Sequence, residues 1–171
     1  MKFTVDKVVK AQNGDKEAFS ELYEEVGRDL YRIACYTLSN KDDAEDVVLE
    51  TVEAAYKGIK RLRDPNRFGA WIMKILSNKC KAKIKDYAYN TISLDDVKEI
   101  EAFSEDMDLN IDIQRALATL DFETKMIVLL TVFSGYKSAE IGNLFGLGGS
   151  TVRSRYRRAL KKLSVLLDSY R

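Results

Sequence analysis

A single proline, Pro65, interrupts 171 residues in which apolar side chains recur at spacings of three and four, and this constrains the fold more than any other feature. Strand-type alternation is missing, and with only nine glycines little else breaks a helix. The chain therefore reads as all-α. Gly14-Asp15 opens a helix over about 15 to 38, with Phe19, Leu22, Tyr23, Val26, Leu30, Ile33 and Ala34 on one face. Ser39-Asn40 breaks it before a second helix at about 42 to 59, and Arg63-Asp64-Pro65-Asn66 precedes a third at about 67 to 86. Together with a short leading helix at 4 to 12 these form a first small domain, residues 1–86.

From 91 to 112 the pattern fails: eight acids face one base, Lys98, and no period is sustained. Like charges extend a chain that cannot bury enough apolar surface, so residues 87–111 read as an acidic, flexible linker. Helices at about 112 to 119, 122 to 134, 138 to 145 and 150 to 168 make a second small domain, 112–171.

Composition removes several functions. There is no histidine, so the Ser-His-Asp and Cys-His triads and the zinc hydrolases are excluded. Cys35 and Cys80 lack metal-ligand spacing and read as core residues of a reducing compartment. No catalytic residue, metal or cofactor is expected. The start lacks a signal-peptide pattern, and the longest apolar stretch, Met126 to Phe133, falls far below the roughly 18 residues of a spanning helix, so a cytoplasmic protein without membrane insertion is expected.

A net charge of +1 conceals strong local bias. Ten bases and one acid, Asp64, lie between 57 and 85. At about 100° per residue, Lys74, Asn78, Lys81 and Lys85 fall on one stripe with Trp71 at its border, opposite Ile72, Ile75, Leu76 and Cys80. Cations beside an aromatic ring and an amide suit phosphates and an exposed base. Lysines on a helix face can equally be ordinary solvation.

Between 151 and 167 there are six bases and no acid, with Val152, Tyr156, Ala159, Leu160 and Leu163 on the buried face. Upstream, Ser138 as N-cap, Gly142 facing a partner helix, Gly146 as turn residue, Leu147 as plug and Ser150 as a second N-cap give a helix-turn-helix pattern. Its second helix would enter a major groove and present Thr151, Arg153, Ser154 and Arg157. An acidic arc on the helix at 42 to 59, formed by Asp42, Asp43, Asp46, Leu49, Glu50 and Glu53, suits a protein partner, with Leu49 as an exposed apolar contact.

Four segments together resemble bacterial RNA polymerase sigma factors of the extracytoplasmic-function (ECF, sigma-70) type. They are Gly14-Asp-Lys-Glu-Ala-Phe19, Asp43-Ala-Glu-Asp-Val-Val-Leu-Glu-Thr51, Phe68-Gly-Ala-Trp71-Ile-Met-Lys-Ile-Leu-Ser-Asn78 and Gly146-Leu-Gly-Gly-Ser-Thr-Val-Arg-Ser-Arg155. The resemblance implies that 1–86 is sigma region 2, which docks on the β′ clamp helices of core RNA polymerase and opens the minus-10 element. It implies that 112–171 is region 4, a helix-turn-helix that reads the minus-35 element and meets the β flap. The polymerase-binding residues would be Asp43, Asp46, Leu49, Glu50 and Glu53. Those of the minus-10 face would be Asn66, Arg67, Phe68, Trp71, Lys74, Asn78 and Lys81, with Asn66, Arg67 and Phe68 reading an extruded base. Those of the minus-35 face would be Thr151, Arg153, Ser154, Arg157, Arg158 and Lys161. Promoter DNA and a cognate anti-sigma factor are the further implied partners.

The family commonly has Gln where Leu49 stands, and Pro where Asp121 and Gly148 stand. The linker passes a length test: about 25 residues reach roughly 80 to 90 Å when extended, and promoter elements two helical turns apart are separated by roughly 70 Å. A self-sufficient helix-turn-helix regulator is the alternative reading. A metal-dependent nuclease built on Asp42, Asp43, Asp46 and Glu50 would need those carboxylates to converge beside DNA.

Overall fold

The structure, a computed structural model, describes residues 1–90 and 111–169. Among them are eight α-helices, two single-turn 3-10 segments and no strand. The acidic linker expected at 87–111 lies almost wholly outside the described residues.

The first unit comprises α1 (Val5–Gln12), α2 (Lys16–Leu38), α3 (Lys41–Gly58) and α4 (Phe68–Asn90), with the 3-10 turns Ile59–Arg61 and Pro65–Arg67 between the last two. The start signals are visible in the chain. The Asp15 side chain accepts from Ala18 N at 3.0 Å, and that of Asn40 accepts from Asp43 N at 2.9 Å. Each satisfies a donor that the first helical turn leaves open, a contribution of about 1 kcal/mol. α2 ends where Ser39 turns left-handed, φ 53°. α4 runs past its expected end, since no glycine or proline stops it before Asn90. Leu22, Leu30, Ile33, Ile72, Met73 and Leu76 are fully buried between these helices. At about 1.5 to 3 kcal/mol for each such side chain, this apolar seam is what holds the bundle together.

The second unit comprises α5 (Ile111–Ala118), α6 (Phe122–Ser134), α7 (Ser138–Phe145) and α8 (Gly149–Ser169). Asp121 caps α6 by accepting from Thr124 N at 3.0 Å, a use for the residue that stands where the family commonly has proline. Ser138 is the first residue of α7 and not its cap. The cap position is Lys137, whose backbone N–H donates to Glu140 Oε2 at 2.6 Å. Ser150 likewise lies inside α8, which starts at Gly149.

The turn between α7 and α8 is the tightest place in the chain. Gly146 is left-handed at φ 69°, and Gly142 O accepts from Leu147 N at 2.9 Å. A Cβ built on Gly142 would lie 2.5 Å from Leu147 O, so only glycine lets the turn fold back onto α7. Val152, like Ile141 and Leu130, is then buried in the core at 1% exposure or less. The two units also touch each other, chiefly through α2 on α6 and α4 on α7.

Candidate nucleic-acid and protein interfaces

On α8 the six bases separate into two groups. Arg155 reaches back to Glu123 on α6 at 2.6 Å, and the Lys162 ammonium donates to Thr119 O at the end of α5 at 2.7 Å. These two are struts that fix the angle of α8. Arg153, Arg157, Arg158 and Lys161 are exposed, as is Thr151, while Ser154 is half-buried. That set comprises the expected minus-35 residues, lies along the N-terminal half and outer face of the second helix of the motif, and can present cations and a hydroxyl to a groove.

The bases of α4 divide differently. Lys79 pairs with Glu50 at 2.8 Å, and Lys83 pairs with Asp43 at 2.8 Å and with Asp46 at 4.0 Å, all across the α3–α4 contact. The Tyr87 hydroxyl donates to the other oxygen of Asp43. Lys57 on α3 pairs with Glu53 one turn earlier. Part of the basic charge counted in the sequence is therefore answered inside the molecule. The hydrogen bond from Lys83 to Asp43 is the main cause that raises the lysine pKa above its usual 10.5, and Lys57 lowers that of Glu53. Asn78 and Lys81 remain exposed on the expected stripe. The Lys74 ammonium instead donates to Leu144 O in the last turn of α7 at 2.6 Å and lies 5.6 Å from the centre of the Phe145 ring.

The loop before α4 is organised by Asp64. Its Oδ1 accepts from both the backbone and the side-chain amide of Asn66 at 3.0 Å, which holds the carboxyl below its usual pKa, and Arg67 lies 3.5 Å away with 77% of its side chain exposed. Asn66 and Arg67 are thus open to a ligand. Phe68 is not. It is 1% exposed, edge-on to Phe3 at 5.4 Å, so the expectation that it reads a base is corrected: the ring is a core residue under the loop. Trp71 is half-buried between Phe68 and Gly58, where a Cβ would lie 3.2 Å from the indole.

One loop-positioning residue escaped the sequence reading. The Gln12 side-chain amide of α1 donates to Ile59 O at 3.1 Å and Leu62 O at 2.6 Å, tying the basic loop to the leading helix. Its only signal was a polar residue at the end of an amphipathic helix whose other residues already had a face.

The acidic arc keeps most of its members in solvent. Leu49 is 71% exposed, and the side chains of Asp46, Glu50 and Glu53 are also more than half exposed; Asp43, at 15%, is enclosed by Lys83 and Tyr87. Among the described residues no three carboxylate or cysteine side chains converge as metal ligands would, and Asp43, Asp46 and Glu50 face lysines. Burial pushes the Cys35 thiol up to about 11 and the Cys80 thiol up to about 12, which makes both poor nucleophiles. No helix among the described residues is long and apolar enough to cross a membrane.

Residues 22–88 match the family model of sigma-70 region 2, and residues 110–163 match that of sigma-70 region 4. The ECF RNA polymerase sigma factor SigM of Mycobacterium tuberculosis is 30% identical over 155 residues, covering 90% of this chain and 79% of that one. The RNA polymerase sigma factor SigV of Bacillus subtilis is 32% identical over 143 residues, covering 82% and 85%. Among solved structures, CnrH in complex with the cytosolic domain of CnrY superposes with a TM-score of 0.73 at 26% identity, covering 96% of this chain and 97% of that chain. The sigma factor RpoE bound to the anti-sigma factor NepR from Bartonella quintana shares the fold, with a TM-score of 0.74 at 24% identity over 90% and 98%.

Proposed function

The chain belongs to the extracytoplasmic-function group of sigma-70-type RNA polymerase sigma factors and acts in transcription initiation; on that premise we propose how its residues divide the work. Core RNA polymerase and promoter DNA are its partners. Residues 1–86 dock on polymerase and capture the minus-10 strand, 87–111 form the tether, and 112–171 read the minus-35 duplex. This work is exercised in the bacterial cytoplasm and includes no covalent step of the protein's own.

In the second domain the α8 N-terminal half enters the major groove. Thr151, Arg153 and Ser154 reach base edges, while Arg157, Arg158 and Lys161 meet phosphates. The observation that carries this reading is the division of the α8 bases into two struts and four open cations. A helix that merely needed solvation has no reason to brace itself with one set and leave the other aligned.

In the first domain Asn66 and Arg67 receive the extruded minus-10 base. Extrusion costs a few kcal/mol of unstacking, offset by pocket and phosphate contacts. Trp71 forms the apolar wall, and Lys74, Asn78 and Lys81 follow the strand. Phe68 supports the loop from beneath. Asp46, Leu49, Glu50 and Glu53 meet the β′ clamp helices, and Asp43 acts there by holding Lys83. An apolar Leu49 among carboxylates suits a partner helix that offers basic residues around an aliphatic contact. An anti-sigma factor is a further partner in this reading, in line with the likeness to CnrH, which is solved in complex with the cytosolic domain of CnrY.

The test is run-off transcription with core bacterial RNA polymerase on promoter libraries, with and without the protein. Glu50→Lys should weaken core binding, by about 2 kcal/mol for a like-charge contact. Arg153→Ala should weaken minus-35 recognition alone. Equal loss of both activities in each variant would overturn the division. The self-sufficient regulator is not favoured, since the sigma region 2 and region 4 models both match, in order along the chain.

A further inference from the structure

Two carboxylates of the polymerase-facing arc already hold a cation each. Glu53 pairs with Lys57 one turn further along α3, and Glu50 pairs with Lys79 of α4 at 2.8 Å. The four side chains form one cluster across the α3–α4 contact, where Lys57, and to a smaller extent Lys79, hold the Glu53 carboxyl below its usual range. Both lysines belong to the basic run between 57 and 85 and lie beside the surface assigned to the minus-10 strand. Lys57 stands in the last turn of α3, at the entrance to the basic loop, and Lys79 adjoins Asn78.

The neighbouring pair of Lys83 and Asp43 is built differently. Asp43 is enclosed and also accepts from the Tyr87 hydroxyl, so packing fixes its partners. Glu50, Glu53 and Lys57 stand more than half in solvent, and Lys79 is partly exposed. Pairs this open contribute little to stability, because water solvates each ion nearly as well as its partner does. They exchange readily for another ion of the right sign.

A basic partner that settles on the arc competes with Lys57 and Lys79 for the same two carboxylates. Its cations also repel the resident ammonium groups. A lysine stem is flexible enough to carry the displaced charge to an adjoining face. The nearest work for it is on the phosphates of a captured strand.

We propose that Lys57 and Lys79 are further strand-binding residues held in reserve: in the free chain Glu53 and Glu50 neutralise them, and docking of the arc on a basic polymerase surface takes those carboxylates and turns both ammonium groups to the minus-10 strand. This rests on the docking and strand-capture assignments made above. Lys83 takes no part, since Asp43 keeps it. By linkage the effect runs both ways, so a bound strand also tightens docking.

The number of cations that meet phosphate is read from the salt dependence of binding, at about 0.7 in the slope of log affinity against log salt for each one on a single strand. The probe is a fluorescent single strand carrying the minus-10 element recovered from a promoter library, titrated with the full chain alone and with its complex with core polymerase. In the complex, Lys57→Gln with Lys79→Gln should make the slope shallower by about 1.4, which between 50 and 200 mM salt is a difference of about sevenfold in the affinity lost. In the free chain the slope should not change. Glu50→Gln with Glu53→Gln should steepen the free chain's slope by about 1.4, and adding both lysine substitutions should cancel that gain. Ion pairs that merely hold α3 against α4 would move the melting temperature and leave these slopes alone. A shift of equal size in both states, or none in the complex, overturns the exchange.

Two controls separate it from the assignments beneath it. Glu50→Gln with Glu53→Gln should weaken core binding in a pull-down, and Lys81→Ala should make the slope shallower by about 0.7 in both states. When both controls respond, an unmoved slope for the lysine pair sinks the exchange alone. When either stays unmoved, the corresponding assignment fails and the exchange with it.

Discussion

Two basic helices, α4 and α8, carry comparable positive charge, and the molecule uses it in opposite ways. On α8 two bases brace the helix against α5 and α6, and the others stay in solvent. On α4 two lysines are spent on the carboxylates of α3, a third is held by α7, and Asn78 and Lys81 keep the outer face. The difference follows from neighbours. α8 forms a salt bridge with Glu123 and lies near Asp121, whereas α4 lies against the most acidic of the described helices. Counting bases along a helix therefore overstates its nucleic-acid surface whenever the adjoining helix is acidic.

The comparison breaks most severely at Gly142. Gly142→Val would place side-chain atoms against Leu147 O, and the turn would have to unfold or shift, at a cost of about 3 kcal/mol or more. Minus-35 duplex binding should vanish while core polymerase binding survives, as read by a gel shift and a pull-down on one preparation. Loss of both would mean that the two units do not fold separately. Next in size, Arg153→Ala should cost about 1 to 3 kcal/mol of minus-35 affinity at an unchanged melting temperature. Arg155→Ala should lower the melting temperature more than it lowers affinity, because its partner is Glu123; the reverse order would erase the distinction between struts and readers.

Smaller effects sharpen the α4 side. Lys83→Ala removes partly exposed ion pairs worth about 1 kcal/mol, so thermal stability should barely fall while core binding weakens slightly as Asp43 loses the lysine it holds. The sign with pH is fixed: Asp43 raises the Lys83 pKa above 10.5, so the contribution is intact at neutral pH and is lost only as pH rises through the folded value. A stability change between pH 6 and 8 traceable to Lys83 would contradict this. Smallest of all, Cys35→Ser with Cys80→Ala should leave oxidant-treated transcription as it is in the reduced protein, both thiols being buried and weakly acidic; sensitivity lost in the variant would make them sensors.

Helix order was legible, and bounds were where a break is marked chemically: Asp15 and Asn40 cap, Ser39 and Gly146 turn left-handed, and Gly142 admits the close crossing, whereas the end of α4 has no such mark and Ser138 and Ser150 proved to lie inside their helices. The open face of α8 was legible for the same reason, since one amphipathic period sorts its residues. Phe68 was misjudged because a loop motif places it beside Asn66 and Arg67 without saying which side the ring takes; Phe3, 65 positions earlier, draws it inward. The α3–α4 ion pairs and the contacts between the two units are tertiary, and periodicity within one helix does not contain them. α6 did carry a hint. Met126 to Phe133 is apolar almost all round, the pattern of a helix covered on more than one side, and it is packed by α8 and by α2.

Gln12 has a consequence for the order of events in time. Its amide joins carbonyls 47 and 50 residues downstream, so Gln12 is synthesised long before the carbonyls it holds. Two hydrogen bonds of about 1 kcal/mol each cannot close a segment of that length unaided. The turn at 59 to 62 must therefore wait for α1, α2 and α3 to pack, and the basic loop becomes one of the last parts of the first unit to take shape. The basic loop of a newly made chain therefore takes its shape from a scaffold that is already packed.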